Sequence, residues 1–207
     1  MKIYGLSGKK VVGKNTFADF ALSMLELPQC RSMAFDAPLK RFCVDYLGLT
    51  YSGCDGSDAE KNKICGTWSM FNETIRKKFG KSEYNEISNR QVMQVVGTEV
   101  FRKCFRETFW VDLMRTRLIA ARDEGCSIVF ITDVRFPNEM FMIKDMGGKV
   151  IRILRKTGDN KEMQHDSETE MSKIPDSAFN YVIANNGSLD EYREKVASVL
   201  HKEGLMS

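Results

Sequence analysis

The sequence feature that most constrains the fold is GKKVVGKNT at residues 8–16. It follows a short strand pattern at residues 2–6 and opens a helical pattern over residues 16–25. A strand, a glycine turn and a helix in this order direct backbone N–H groups and a helix N-terminus at an anion. The segment therefore predicts a phosphate-binding loop in an α/β protein, with Lys14 reaching the outer phosphates of a nucleotide. The alternative is an ordinary glycine turn with solvated lysines.

The position of the hydroxyl in this loop indicates which kind of protein it serves. In GTPases and many ATPases, a Ser or Thr directly after the loop lysine binds Mg²⁺. Here Asn15 takes that position, and the hydroxyl comes one residue later, at Thr16. This spacing is similar to that of adenylate kinase and other small-metabolite kinases, in which the metal is held largely through water. The loop therefore favours a nucleotide-type kinase over a motor or a switch.

Length and charge exclude several other classes. A chain of 207 residues is long enough for one domain with a proper core. Its net charge of +3 does not demand nucleic acid or a membrane as a partner. The first apolar run is short and interrupted, and no stretch reaches the roughly 20 apolar residues of a membrane span. We therefore expect a cytoplasmic protein whose six scattered cysteines are free thiols.

Strand and helix patterns alternate along the chain. Strands are predicted at residues 2–6, 31–35, 127–133, 149–154 and 181–184. Helices are predicted at residues 16–25, from residue 36 onward, and at 88–97, 109–123, 137–146 and 189–201. The alternation predicts an α/β fold with a central, mainly parallel sheet, in which the apolar run SIVFITD is a buried central strand. Residues 50–89 lack a clean period and predict an irregular, partly helical insertion, and the polar residues 155–176 predict a mobile lid.

Three charged residues follow the predicted central strand: Asp133, Arg135 and Glu139. In an open α/β sheet, ligands gather at the carboxyl ends of the strands. An aspartate there could hold the water shell of a metal or a substrate hydroxyl, and Arg135 could neutralise a transferred phosphate. The alternative is an Asp–Arg pair that fixes the following turn, with Glu139 solvated.

Further basic residues flank the predicted lid. Arg155 ends the strand KVIRILR, and lid arginines are suited to stabilising a transferring phosphoryl group while water is excluded. Arg152 alternates with apolar residues and fits a basic strand end that faces solvent. His165 is expected to be an exposed capping residue, because a phosphate acceptor is already an anion and needs little help from a base. The basic–aromatic residues 102–106 are flanked by acids, so no nucleic-acid partner is predicted.

A succession of motifs extends over nearly the whole chain. They are, in chain order, SGKK at residues 7–10, GKNT at 13–16, ADF at 18–20, DAPLK at 36–40, RQVMQVVGTEVFR at 90–102, Trp110, TDVRFPNE at 132–139, HDSE at 165–168 and NNGSLDE at 185–191. This succession resembles the deoxynucleoside monophosphate kinases of bacteriophages. Residues 50–89 do not match that pattern clearly.

The resemblance implies a P-loop fold of nucleoside monophosphate kinase type, a three-layer α/β/α domain over residues 1–207. It implies an acceptor-binding insertion near residues 50–89, a lid near residues 155–176, and usually a homodimer in the host-cell cytoplasm. The implied reaction transfers the γ-phosphoryl group of ATP to a deoxynucleoside 5′-monophosphate, giving the diphosphate and ADP for DNA precursor synthesis. Mg²⁺ is the implied cofactor, held mainly through water, with Asp133 as the nearest candidate.

The resemblance also implies roles for individual residues. Those that take the ATP phosphates are Gly8, Lys10, Gly13, Lys14, Asn15 and Thr16. Those that line the acceptor site are Leu39, Lys40, Arg90, Gly97, Thr98, Trp110, Asp133, Arg135 and Glu139. Trp110 would offer an aromatic surface to the base, and Asp133 or Glu139 would lie near the deoxyribose. Lys14, Arg135 and the lid residue Arg155 would form the catalytic clamp on the phosphoryl group.

The chain departs from this family pattern at several positions. Val11 stands where a basic residue can follow Lys10, and Gln91 stands where some members have a second arginine. An arginine expected from the insertion has three candidate counterparts, which are Lys61, Lys63 and Arg76. Rival functions are another P-loop metabolite kinase, of dephospho-coenzyme A or phosphomevalonate kinase type, and a non-catalytic ATP-binding regulatory module.

Overall fold

A computed structural model describes residues 1–156 and 171–206. The chain divides into two compact units. The sheet unit comprises Met1–Phe35 and Val111–Ser207, and the inserted unit comprises Asp36–Trp110. Most of the predicted lid, with His165, lies outside the described residues.

The described residues contain seven strands and nine α-helices. The strands are β1 (Lys2–Ser7), β2 (Cys30–Met33), β3 (Ile64–Thr67), β4 (Glu86–Ser88), β5 (Ile128–Val134), β6 (Lys149–Leu154) and β7 (Tyr181–Ala184). The helices are α1 (Lys14–Leu25), α2 (Ala37–Leu47), α3 (Tyr51–Asp55), α4 (Asp58–Lys61), α5 (Glu73–Lys78), α6 (Asn89–Gln94), α7 (Phe109–Asp123), α8 (Pro137–Asp145) and α9 (Leu189–Lys202). Short 3₁₀ turns occupy Trp68–Met70 and Asp176–Ala178, and Val95–Phe105 forms a π-helix.

The sheet unit has a five-stranded sheet in the order β2-β5-β1-β6-β7, and all four strand pairs are parallel. Side chains alternate between its two faces. On one face, Tyr4, Leu6 and Phe130 pack with α1 and α9; on the other, Ile3 and Val129 pack with α7 and α8. Helices therefore cover both faces, which confirms the predicted three-layer α/β/α fold. Every residue of β5 is buried, as the unbroken apolar run predicts.

The strand register aligns the carboxyl ends of the sheet. Ser7 at the end of β1 lies opposite Val134 of β5 and Arg152 of β6, and Leu154 lies opposite Ala184 of β7. The loops that follow these strands therefore open at the same edge, where ligands bind in open α/β sheets.

The inserted unit is more regular than the sequence predicts. Strands β3 and β4 form an antiparallel pair, and they pack with short helices around the buried Trp68 and Ile87. The helix predicted over residues 88–97 begins with a capping box between Ser88 and Gln91. It changes to π-helix at Val95, so the helical segment reaches Phe105 rather than ending near residue 97. π-Helix is rare and occurs mostly as single turns within α-helices, so a stretch of 11 residues is unusual.

No helix among the described residues is long and apolar enough to cross a membrane. All six cysteines are free, with Cys43, Cys54 and Cys126 buried and Cys65 and Cys104 exposed.

Candidate active site

The loop between β1 and α1 has the backbone that its glycines predict. Gly8 and Gly13 both have positive φ, at 145° and 99°. A Cβ atom on Gly8 would lie 2.3 Å from the carbonyl oxygen of Ile153, which is backbone and cannot give way. Only glycine lets the loop approach β6 this closely.

Lys14 begins α1 and folds back over this loop. Its Nζ donates to the carbonyl oxygens of Gly8, at 2.8 Å, and Lys9, at 2.7 Å. The preceding residue, Gly13, provides no side-chain cap, so the first-turn N–H groups of α1 are not capped by the side chain usually found there. A lysine ammonium and these N–H groups at one helix N-terminus form an arrangement suited to phosphate. Thr16 lies half-buried in the same first turn.

Two residues that the sequence analysis did not single out hold this loop from behind. Asn185 follows β7, and its Nδ2 donates to the carbonyl oxygen of Val12 at 2.9 Å. Tyr192, in α9, donates its hydroxyl to the carbonyl oxygen of Gly13 at 2.9 Å. Both side chains are buried, with 7% and 1% of their surface exposed. The motif NNGSLDE could have indicated both residues, since Asn185 opens it and Tyr192 directly follows it.

Asp133 lies near the carboxyl end of β5, as predicted. Only 7% of its surface is exposed, and its Oδ1 accepts the N–H of Phe35 at 2.7 Å. Arg117 of α7 donates to the carbonyl oxygen of Ala34 at 2.9 Å. Burial lowers the pKa of the Arg117 guanidinium and the charge of Asp133 opposes that shift, so the two groups interact. The sequence analysis did not single out Arg117. The sequence signal that could have indicated it is its position next to the buried residues of α7.

Glu139 turns back toward the end of β5. Its Oε2 accepts the backbone N–H groups of Arg135, at 2.8 Å, and Phe136, at 3.1 Å. The side chain is 2% exposed, so it is not the solvated glutamate of the alternative interpretation. A carboxylate in this position caps the first turn of α8 and fixes the backbone of Arg135, whose side chain is exposed.

Arg155 and Arg152 have different environments. Arg155 is exposed just beyond β6, and the next residue, Lys156, donates its N–H to Oδ1 of Asn186 at 2.8 Å. The prediction that Arg152 faces solvent was wrong. Its guanidinium pairs with Asp176 at 2.6 Å and lies 3.9 Å from the centre of the Phe179 ring. Arg152 alternates with Ile151 and Ile153 along β6, so its side chain lies on the other face of the strand, which residues 171–179 cover. Sequence periodicity does not show which residues cover that face.

Within the inserted unit, three predicted acceptor residues lie together. Trp110 donates its indole N–H to the carbonyl oxygen of Gly97 at 3.0 Å, and only 6% of its surface is exposed. A Cβ atom on Gly97 would lie 2.8 Å from a methyl group of Leu39. The indole also packs edge-to-face against Phe101 and Phe109. Trp110 is thus part of an aromatic cluster, and Thr98 lies half-buried beside Gly97 on the π-helix.

In the inserted unit, two predicted acceptor cations act on a third cation, Lys61. Lys40 pairs with Asp55 at 2.7 Å and Asp36 at 3.1 Å, and Arg90 pairs with Asp58 at 2.7 Å. Burial lowers the pKa of Lys61, and the charges of Lys40 and, more weakly, Arg90 lower it further. Lys61 therefore lies within electrostatic reach of both predicted acceptor cations.

The other two candidates from the insertion have different surroundings. Arg76 donates to the carbonyl oxygen of Phe71 at 2.7 Å and lies 3.7 Å from Glu83. Lys63 is exposed. Lys61 is therefore the candidate that we favour, because the charges of Lys40 and Arg90 act on its pKa.

A family profile described as deoxynucleotide monophosphate kinase matches residues 41–196. The chain belongs to the deoxynucleotide monophosphate kinase family. A protein of Acanthamoeba polyphaga mimivirus, provisionally named a deoxynucleotide monophosphate kinase, is 27% identical over 217 residues, with both chains covered in full. The deoxynucleotide monophosphate kinase of Enterobacteria phage T4 is 24% identical over 243 residues, which are 97% of this chain and 99% of the T4 protein.

One solved structure supports the fold of this chain. The dephospho-CoA kinase from Campylobacter jejuni matches with a TM-score of 0.50 and 14% identity, over 97% of this chain and 96% of that protein. The shared feature is the P-loop kinase fold. The predicted family and enzyme class are confirmed: the chain is a phosphotransferase of nucleotide kinase type.

Proposed function

We propose that this kinase transfers the γ-phosphoryl group of ATP to the 5′-phosphate of a deoxynucleoside monophosphate, giving a deoxynucleoside diphosphate and ADP. The observation that supports it most directly is the loop at the N-terminus of α1, over which Lys14 folds at 2.7–2.8 Å from two loop carbonyl oxygens. A phosphate in this loop would exchange those carbonyl contacts for charge-assisted hydrogen bonds, which are stronger.

On the donor side, the loop residues take the ATP phosphates. The backbone of Gly8 and Gly13 allows close approach, and the Lys14 ammonium offsets charge on the outer phosphates. Lys10, Asn15 and Thr16 complete this set. Lys10 and Asn15 are exposed, and Thr16 is half-buried in the first turn of α1.

The donor set fits a magnesium ion that keeps most of its water. The described residues contain no group of three or more Asp, Glu, His or Cys side chains that could cage a metal. Mg²⁺ in kinases is bound by one or two carboxylates together with substrate phosphates and water. Asp133 would supply the carboxylate, and the buried Ser7 hydroxyl, which has no hydrogen-bond partner among the described residues, would supply a second oxygen. Bound there, the ion would neutralise charge on the phosphates.

On the acceptor side, two groups of residues are proposed. Asp133, Arg135 and Glu139 follow the central strand, and Glu139 holds the Arg135 backbone in place. In the inserted unit, Lys40, Lys61 and Arg90 would bind the acceptor phosphate. Leu39, Gly97, Thr98 and Trp110 would border the acceptor base.

The reaction needs little help from a general acid or base. An oxygen of the acceptor phosphate attacks the γ-phosphorus in line, the bond to the β-bridging oxygen breaks, and ADP leaves with the electron pair. Lys14, Arg135 and Arg155 neutralise charge that builds up on the transferring group, while the protein holds both substrates in line. The resemblance to phage kinases additionally supports a homodimer, which light scattering on the purified protein would test.

A matched pair of loop lysines tests the mechanism. Lys14→Met should lower kcat by about 100-fold or more, because it removes a cation from the transferring phosphoryl group. Lys9→Met, an exposed neighbour whose side chain has no proposed role, should change kcat less than about threefold. ADP release is measured with each deoxy- and ribonucleoside monophosphate and with dephospho-coenzyme A. If Lys14→Met kept most of its activity, this mechanism would be wrong. If dephospho-coenzyme A were phosphorylated and no deoxynucleoside monophosphate were, the proposed acceptor would be wrong.

A further inference from the structure

The phosphate loop of this kinase is held from behind by two side chains that come from the end of the chain. Asn185 donates to the carbonyl oxygen of Val12, and Tyr192 donates to the carbonyl oxygen of Gly13, each at 2.9 Å. These are two consecutive peptide groups, and they lie directly before the first residue of α1.

Fixing a carbonyl oxygen also fixes the N–H group of the same peptide. A trans peptide is planar, so its C=O and N–H bonds point in opposite directions. The Asn185 bond therefore orients the N–H of Gly13 away from β7, and the Tyr192 bond orients the N–H of Lys14 away from α9. Gly13 O also accepts the N–H of Phe17 at 2.9 Å, the first intrahelical bond of α1, so both of its lone pairs are used. The N–H of Lys14 is thus directed out of the helix N-terminus.

Both donors are themselves rigidly placed. The backbone N–H of Asn185 donates to the carbonyl oxygen of Leu154 at 2.7 Å, which ties it to the end of β6. Helix α9 starts with a capping box, in which Ser188 and Glu191 exchange hydrogen bonds of 3.2 Å. Tyr192 follows directly, and its ring packs against Phe17 and Phe20 of α1.

The close fit explains why residue 13 is glycine. A Cβ atom there would lie 2.7 Å from Nδ2 of Asn185 and 3.2 Å from the Tyr192 ring. The two side chains occupy the space behind the loop that any other residue at position 13 would need. The loop and its two supports therefore form one packed arrangement in the sheet unit.

We propose that Asn185 and Tyr192 are positioning residues, which hold the Gly13 and Lys14 N–H groups in the orientation that binds the nucleotide phosphates. The proposal rests on the proposed function of the loop as the ATP phosphate site. The two residues touch no reacting atom. Their effect on the reaction passes through the loop backbone, so it should appear in ATP affinity and leave the acceptor untouched.

Two variants of the full chain test the proposal. Tyr192→Phe removes one hydroxyl and keeps the ring packing; it should raise the Kd and KM for ATP about threefold to tenfold, the range for one neutral hydrogen bond. Asn185→Asp replaces the amide donor with a carboxylate that repels the Val12 carbonyl oxygen, and it should raise both by about tenfold or more. KM for the deoxynucleoside monophosphate should stay within about twofold for each variant.

Tyr181→Phe is the matched control. Tyr181 also lies in the sheet unit and donates its hydroxyl to a buried acceptor, Glu203, but at the opposite end of β7. It should lower Tm while leaving the Kd for ATP unchanged. If Tyr192→Phe behaves like this control, with a lower Tm and an unchanged Kd for ATP, the residue is only structural and the proposal is overturned.

The Kd for ATP, measured by titration calorimetry, separates this proposal from the proposed function. If the wild-type protein phosphorylates no deoxynucleoside monophosphate, the proposed function fails, and calorimetry still decides the positioning role. Weaker ATP binding in both variants supports it, and unchanged binding in either variant contradicts it.

Discussion

Val11 is the residue at which the loop between β1 and α1 is strained. Its φ is 62°, in the left-handed region that a β-branched side chain rarely adopts, and 72% of its surface is exposed. The next residue, Val12, is 2% exposed and has its carbonyl oxygen held by Asn185. The strain therefore lies beside a fixed point of the loop, and the surrounding bonds keep it in place.

Replacing this valine should stabilise the protein. Left-handed backbone costs roughly 1–2 kcal/mol for a residue with a Cβ, and asparagine tolerates it better because its side chain can hydrogen-bond locally. We expect Val11→Asn to raise the free energy of unfolding by about 0.5–1 kcal/mol in urea denaturation. Val182→Asn is the control, since Val182 is also exposed but lies in β7. That variant should lose up to about 1 kcal/mol because asparagine is unfavourable in strands. Equal losses in both variants would contradict the strain argument.

At the residue scale, the sequence predicts where several charged residues lie in the fold. Lys14, Asp133 and Glu139 all lie at the ends of the elements that the pattern assigned. Asn185 and Tyr192 could not be predicted in the same way, since their partners are backbone carbonyl oxygens that lie 173 and 179 residues away. Every residue type has a backbone carbonyl oxygen, so the amino-acid sequence does not show which of them will accept a side-chain hydrogen bond.

At the scale of elements, periodicity predicted the sheet unit and, in the inserted unit, helices α2 and α6, but it did not predict the strand pair within residues 50–89. Strands at residues 149–154 and 181–184 and the helix at 109–123 have the predicted bounds, because each buries a continuous stripe or face. Strand β4 has only three residues and exists through pairing with β3, about 20 residues earlier. The π-helix after Val95 is equally invisible to a pattern based on 3.6 residues per turn.

The acceptor role proposed for Lys61 in the inserted unit can be tested with a matched pair of lysine variants. Lys61 ends α4, and the charges of Lys40 and Arg90 reach it, whereas Lys63, two residues on, is exposed. We expect Lys61→Met to raise KM for the deoxynucleoside monophosphate by about tenfold or more, as loss of a charge-assisted hydrogen bond would. KM for ATP should not change. Lys63→Met should leave both constants within about twofold. The proposed acceptor role of Lys61 fails if the two variants behave alike.

At the scale of the whole molecule, one carboxylate ties the last residues of the chain to the first. Glu203 follows α9, and its side chain is 5% exposed. It accepts hydrogen bonds from Lys149, at 2.8 Å, from Tyr4, at 3.1 Å, and from Tyr181. These donors lie in β6, β1 and β7, near the amino ends of the strands. The C-terminal segment is therefore fixed at the edge of the sheet opposite the loop between β1 and α1.

This carboxylate should make stability depend on pH. Burial acts to raise the pKa of Glu203, but hydrogen bonds from Lys149, Tyr181 and Tyr4 outweigh it and hold the pKa below its usual value. A lowered pKa in the folded state means that the stabilisation is complete above the pKa of an unfolded glutamate, about 4.3, and is lost as pH falls through the folded value.

Glu203→Gln should therefore cost about 2 kcal/mol of unfolding free energy at pH 7, as expected for hydrogen bonds to a buried charge. The difference between wild type and variant should shrink below about pH 4. Glu124→Gln is the control, because Glu124 pairs with Arg31 at an exposed site, where both side chains are more than 40% exposed. That variant should lose at most about 0.5 kcal/mol. A Glu203→Gln deficit that stayed constant from pH 7 to pH 3 would show that packing, and not the charge, holds the C-terminal segment to the sheet.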